Sequence, residues 1–243
     1  MTNCLQLDVG NSSAKWRLVA AGQVLQRGRY AHGDDAARQS MLELLGEASQ
    51  VWVSSVAGAD FEQEFTSLIN QHGSPQPWFA RTSAQAAGLK NSYQDPSRMG
   101  VDRWLAMLGA RRRCEGRLCV IDAGSATTID LVDAAGQHEG GYIIPGPALM
   151  ERALLLDTDR VRFAEDVDYA LTPGKSTAEA VRHGIALAQV GAVAAAIDGV
   201  EGVSPELIFS GGAGETLMRL LDRGGLFLPD LVFEGLETLA EEG

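Results

Sequence analysis

The feature that most constrains this chain is an internal repeat. Residues 7–23 read LDVGNSSAKWRLVAAGQ and residues 121–137 read IDAGSATTIDLVDAAGQ, aligned without a gap at an offset of 114. Asp8 falls on Asp122, Gly10 on Gly124, and Ala20–Gln23 on Ala134–Gln137. A repeat of this length means that one supersecondary unit is used twice. Each copy reads as strand, tight turn, strand, Gly-containing turn, strand, which predicts a three-stranded meander. The strands are expected at 4–9, 14–20 and 24–30, and again at 118–122, 127–132 and 138–144.

A second echo follows. Val51-Trp52-Val53-Ser54-Ser55-Val56-Ala57-Gly58 resembles Leu207-Ile208-Phe209-Ser210-Gly211-Gly212-Ala213-Gly214. Both read as a buried strand running into a small-residue turn. Helical patterns at 34–47, 60–72, 101–113, 146–156 and 177–197 separate the strands. Strands alternating with helices indicate α/β architecture. The expected organisation is therefore two similar α/β lobes, residues 1–116 and 117–243, each opening with a meander and flanked by helices.

Composition narrows the function classes. The 243 residues carry a formal net charge of −12, whereas a chain built to bind DNA or RNA presents a basic field. Arg111-Arg112-Arg113 with Arg117 is better explained as cations at a helix C-terminus than as a nucleic-acid patch. Cys4, Cys114 and Cys119 cannot form a paired framework and lack zinc-ligand companions, so reduced thiols in a cytoplasmic protein are expected. The N-terminus has no basic region preceding an apolar one. The longest apolar run, Val190–Ile197, is far short of the roughly 20 residues that span a bilayer. A soluble protein with no membrane partner is the expectation.

The paired turns carry the chemistry. Glycine and small side chains let backbone N–H groups approach an anion closely. Asn11, Ser12 and Ser13 add donors after Gly10, and Lys15 adds a point charge suited to phosphate. Asp8 and Asp122 are hard oxygen ligands for cations that accompany phosphates. Two such turns facing one another would clamp a nucleoside triphosphate and its metal; alternatively they are Asx-type turns that shape hairpins. No G-x-x-x-x-G-K-[ST] loop, G-x-G-x-x-G fingerprint, HExxH or G-x-S-x-G motif occurs. Gly211-Gly212-Ala213-Gly214 follows a strand and precedes a helix, where adenine and ribose could lie against bare backbone.

These residues carry a family resemblance. Asp8-Val9-Gly10-Asn11-Ser12, Asp122-Ala123-Gly124-Ser125-Ala126-Thr127-Thr128 and Gly211-Gly212-Ala213-Gly214 resemble the two phosphate motifs and the adenosine motif of the acetate kinase/sugar kinase/Hsp70/actin superfamily. Gly100-Val101-Asp102-Arg103, Gly140-Gly141-Tyr142-Ile143-Ile144-Pro145-Gly146 and Thr177-Ala178-Glu179-Ala180-Val181-Arg182-His183-Gly184 narrow it to a resemblance to type III pantothenate kinase across essentially the whole chain. The resemblance implies two duplicated ribonuclease H-like, actin-like ATPase lobes. It implies ATP-dependent phosphorylation of pantothenate, the first step of coenzyme A synthesis. The family has Thr where this chain has Ser12 and Ser125; serine keeps the hydroxyl and loses only a methyl.

Site roles follow from the resemblance. Asp102 matches the family's proton acceptor, although its place at a helix start also suits an N-cap. Gly100, Val101, Arg103, Tyr93 and Thr177 match substrate-binding positions. Without the family, Tyr93 reads as a loop anchor, Thr177 as an N-cap and Arg103 as one side of an ion pair. Asp8 matches the Mg²⁺-nucleotide aspartate, with Gly10, Asn11, Ser12, Ser13, Lys15, Ser125, Gly211 and Gly212 around ATP. Asp122 matches the position that binds a monovalent cation, K⁺ or NH₄⁺; composition alone does not distinguish K⁺ from Mg²⁺. Family members are homodimers, and the small residues Gly184, Ala188, Gly191, Ala192 and Ala195 suit either an interface or core packing. His183 is expected to be structural. The competing functions are another small kinase or polyphosphate hydrolase of the superfamily, and a nucleotide-binding transcriptional accessory protein. The intact Asp8, Asp102 and Asp122 set favours an enzyme.

Overall fold

The computed structural model describes residues 2–157 and 161–242. It divides into two compact units: residues 1–87, 93–109 and 232–243, and residues 88–92 with 110–231.

In the first unit β1 (Asn3–Val9), β2 (Ser13–Ala20) and β3 (Gln23–Ala31) form the expected meander. Strand β4 (Gln50–Ser55) runs parallel to β1, and β5 (Pro77–Phe79) parallel to β4, giving the order β3-β2-β1-β4-β5. Parallel neighbours need a crossover, and helix α1 (Asp35–Leu42) with a 3₁₀ turn at Glu43–Glu47 supplies one. Helix α2 (Gly58–Gln71) supplies the next. The apolar alternation of β1 and β4 buries Leu5, Leu7, Val51 and Val53 against Phe65 and Ile69 of α2. The region expected as one helix over 34–47 is thus a helix capped by Asp34, whose carboxylate accepts from the Ala37 amide, followed by a tighter turn.

After two short strands, β6 (Gln85–Ala86) and β7 (Leu89–Lys90), helix α3 spans Val101–Arg113 as expected. The second unit repeats the pattern with β8 (Leu118–Ala123), β9 (Ala126–Val132), β10 (His138–Pro145), β11 (Glu206–Ser210) and β12 (Leu226–Phe227) in the order β10-β9-β8-β11-β12. The two sheets share one topology, as duplicated mixed-sheet lobes require. Helices α4 (Pro147–Asp157), α5 (Thr177–Asp198) and α6 (Gly214–Leu221) accompany it.

The units do not follow the 1–116 and 117–243 halves along the chain. The final helix, α7 (Leu231–Glu242), leaves the second unit at Val232 and packs on the first. Its Gly235 lies so close to α3 that an added Cβ would stand 1.9 Å from the Leu105 carbonyl oxygen. Its Glu237 accepts from buried Arg17 at 2.8 Å and from Gln6 at 3.1 Å, while the Arg17 guanidinium stacks on Phe233.

Helix α5 is long and apolar enough, by length and composition alone, to cross a bilayer. The run Val190–Ile197 did not suggest this, because alanine and glycine interrupt it. One face packs within the second unit through Ile185, Gln189, Val193 and Ala196, next to α4, α6 and β9. Gly184, Ala188, Gly191 and Ala195 lie on the exposed side, where Leu187 is 62% exposed.

Candidate active site

In the first unit, β1 delivers Asp8 to its C-terminal end, opposite Lys15 on β2 and Ser54 on β4. The Ser54 hydroxyl donates to Asp8 Oδ1 at 3.2 Å. The turn beyond is held by the Gly10 amide donating to the Ser13 carbonyl at 3.0 Å and by His32 Nε2 donating to the Gly10 carbonyl at 2.8 Å. Asn11, Ser12 and Ser13 are exposed at its tip. Their hydroxyl and amide groups stand beside a carboxylate and an ammonium group, a composition suited to a phosphate with its cation.

The first unit also holds the GVDR segment. An added Cβ at Gly100 would stand 2.5 Å from Asp102 Oδ1, so the missing side chain makes room for the carboxylate. Asp102 sits in the first turn of α3 and accepts from the Arg103 amide at 2.8 Å. It lies within the first turn and is not the N-cap, a position held by Gly100, and it is half-exposed at a helix N-terminus, where a carboxylate is electrostatically favoured. Arg103 is buried, and its Nη1 donates to the Tyr93 hydroxyl at 2.9 Å. Tyr93, Gly100, Val101, Asp102 and Arg103 are brought together; the loop-anchor role of Tyr93 is real, with Arg103 as its partner.

In the second unit Asp122 occupies the β8 position equivalent to Asp8, opposite Thr128 on β9 and Ser210 on β11. The turn after it is shaped by the Gly124 amide donating to the Ala126 carbonyl and the Gly146 amide donating to the Ser125 carbonyl. The Gly211–Gly214 turn closes on the same place, the Ala213 amide donating to the Ala123 carbonyl at 3.0 Å. Gly211 has φ +82° and an added Cβ would meet the Ala123 carbonyl at 2.5 Å. Asp122, Ser125, Gly211 and Gly212 thus form one cluster. A cavity of about 140 Å³ adjoins it, bordered by Ala123, Gly212, Ala213, Thr216 and Gln189. That volume is below the usual range for whole drug-sized ligands and suits a single ring system.

Thr177 is exposed at the start of α5, and the cap is the preceding Ser176, whose hydroxyl accepts from the Glu179 amide. It borders an apolar groove of about 720 Å³ between α4 and α5, with Leu149, Leu154, Val181 and Ile185. His183 bonds the Thr172 carbonyl, in keeping with a structural role. Arg111 bonds the carbonyls of Gly116 and Ala134, and Arg117 bonds Glu139, so these two arginines serve loops and a surface ion pair.

The cation expectation fits the donor set. Among the described residues, three or more His, Cys, Asp or Glu side chains never gather as a metal cage. Mg²⁺ typically uses one or two carboxylates and completes its shell with substrate phosphates and water. Asp8 with Ser54, and Asp122 beside the Gly124 turn, offer that kind of partial site.

Residues 4–199 match the model of the type III pantothenate kinase family. The chain belongs to that family. The type III pantothenate kinase of Chromohalobacter salexigens is 38% identical over 96% of this chain and 86% of its own length. The enzyme of the same name from Thiobacillus denitrificans is 35% identical over 100% of this chain and 99% of its own. Among solved structures, a conserved putative Baf family transcriptional activator from Campylobacter jejuni superimposes with a TM-score of 0.63 at 23% identity, covering 98% of both chains. An activator of 2-hydroxyisocaproyl-CoA dehydratase from Clostridium difficile, with bound ADPNP, gives a TM-score of 0.57 at 11% identity over 99% and 95% of the two chains. At those identities the two structures speak for the fold, which is that of the actin-like ATPases and sugar kinases.

The family motifs led to these residues, but they did not point to Ser54 and Ser210, which flank the two aspartates. Their signal was present in the echo between 51–58 and 207–214, where both serines occupy the same place.

Proposed function

We propose that this protein transfers the γ-phosphoryl group of ATP to the primary hydroxyl of pantothenate, giving 4′-phosphopantothenate at the first step of coenzyme A synthesis. The observation that carries this is near full-length likeness to type III pantothenate kinases.

In this reading Asp102 orients the acceptor hydroxyl and takes its proton, while Arg103 and Tyr93 bind pantothenate together with the Gly100–Val101 backbone. Phosphoryl transfer needs mostly positioning and charge neutralisation, so a half-exposed carboxylate that orients the hydroxyl suffices to accept the proton late. In the first unit the Gly10–Ser13 turn with Lys15 supplies phosphate contacts, and in the second the Ser125 turn with Gly211 and Gly212 supplies nucleotide contacts, each through backbone amides and hydroxyls. Asp8 would hold Mg²⁺, which when bound would neutralise phosphate charge, and Asp122 would hold K⁺ or NH₄⁺. Local cations, amides and the Lys15 and Arg103 charges offset a long-range field that is unfavourable for two anionic substrates.

The reading extends to a cytoplasmic homodimer without nucleic-acid or membrane partners. The exposed small-residue side of α5 and the apolar groove by Thr177 support a helix-mediated interface.

The test is ATP consumption coupled to pantothenate, with and without potassium or ammonium. Pantothenate-dependent turnover with 4′-phosphopantothenate as product is expected; its absence under every cation condition refutes the assignment.

A further inference from the structure

Residues 88–92 belong to the second unit, although the chain on both sides of them belongs to the first. The segment is stitched to the turn between β9 and β10 by consecutive contacts. The Lys90 amide donates to the Gly136 carbonyl at 2.8 Å, and Lys90 bridges Gln137. Gly136, at φ +81°, approaches so closely that an added Cβ would stand 2.1 Å from the Gly88 carbonyl oxygen. Leu89 is fully buried.

The last contact is of a different kind. Ser92 Oγ lies 2.8 Å from His138 Nδ1, and His138 Nε2 lies 3.0 Å from Asp130 Oδ1. The His138 and Asp130 side chains are 0% and 2% exposed, whereas Ser92 is an exposed loop residue. All three groups are satisfied when Nε2–H donates to Asp130 and Nδ1 accepts from the Ser92 hydroxyl. A β-bulge follows His138, where Gly140 takes φ +124°, and bulges re-aim side chains. Burying a histidine with a carboxylate is costly unless both are fully partnered, and such pairs are best attested as devices that fix register.

Ser92 immediately precedes Tyr93. We propose that Asp130, His138 and Ser92 form a latch that fixes the start of the pantothenate-binding loop, with His138 and Ser92 as positioning residues for Tyr93. This rests on the functional reading given above. Asp130 orients the imidazole, the imidazole holds Ser92, and Ser92 sets where the chain enters Tyr93, whose hydroxyl meets Arg103. The latch acts on acceptor binding and leaves ATP binding alone.

The test compares the full-length wild type with Ser92→Ala and Ser92→Thr, changes at an exposed position that leave the buried pair in place. Ser92→Ala is expected to raise the KM for pantothenate about tenfold, the worth of one hydrogen bond, with the KM for ATP and kcat within about twofold. Ser92→Thr, which keeps the hydroxyl, restores the wild-type KM. Amide hydrogen exchange over residues 89–95, measured without substrates, is faster in Ser92→Ala and recovers in Ser92→Thr. An unchanged pantothenate KM, an equal rise in the ATP KM, or unchanged exchange overturns the latch. If the wild type itself fails to turn over pantothenate, the functional reading is what fails, and the exchange comparison still decides whether the latch exists.

Discussion

A Cβ placed on Gly211 would stand 2.7 Å from Asp122 Oδ1. The bare glycine after β11 is what allows the carboxylate at the end of β8 its position, and the same residue bends back at φ +82°. In the first unit the equivalent position is Ser55, which tolerates a side chain. The duplication is therefore strict in topology and relaxed at the turn where the two sequences diverge.

Gly211→Ala combines a left-handed backbone with a clash against backbone that cannot yield. It is expected to cost about 2 kcal/mol or more in stability and to depress activity with ATP, since Asp122 must move. Urea unfolding and steady-state kinetics on one preparation check this. A fully stable, fully active variant would show that the turn can rearrange.

Asp102→Asn keeps the shape of the side chain and its bond from the Arg103 amide. Thermal unfolding is expected to stay near wild type while turnover falls roughly 10²–10⁴-fold, the range for losing a general base. Near-normal turnover would remove Asp102 from proton transfer and leave it as a first-turn acidic residue of α3.

Asp122→Ala should change how activity responds to potassium and ammonium more than it changes the unfolding midpoint. The measurement is a titration of each cation at saturating ATP and pantothenate. An unaltered cation response would refute the assignment of Asp122.

Burial pushes the Cys4 and Cys119 thiols up to about 12 from an ordinary value of 9.0; for Cys119 the nearby Asp130 charge adds to the effect. The folded state thus holds these protons more tightly than the unfolded state. The stability they contribute is complete below about pH 9 and is lost as pH rises toward 12, by up to about 1.4 kcal/mol per pH unit per thiol. Between pH 8 and 10.5 the wild type should lose more stability than Cys119→Ala. Equal losses would show that this thiol does not titrate on unfolding. Native protein at pH 8 should also resist thiol reagents that label it once unfolded.

The two meanders were legible because short strand-like runs alternate with tight and Gly-containing turns, and the repeat supplied two independent copies of that signal. Helix α3 was legible at both ends, since Gly100 precedes it and three arginines close it. Helix α7 gave no comparable signal, and no local pattern says which sheet an amphipathic C-terminal helix will cover. That depends on Gly235 finding Leu105 and Glu237 finding Arg17, partners more than a hundred residues away. The Asp130–His138–Ser92 chain was equally hidden, because each residue type is ordinary by itself and the loop that carries Ser92 is remote from both partners.

The sequence by itself determined the duplication, the α/β class and the identity of the residues at the two aspartate turns, because these are written in local periodicity and in spacing along the chain. Tertiary structure alone decided which unit takes the last helix, where Gly211 must stay bare, and what anchors the segment before Tyr93. Those outcomes turn on contacts between residues distant in sequence, whose energies come from close approach and buried hydrogen bonds that no single stretch of chain encodes.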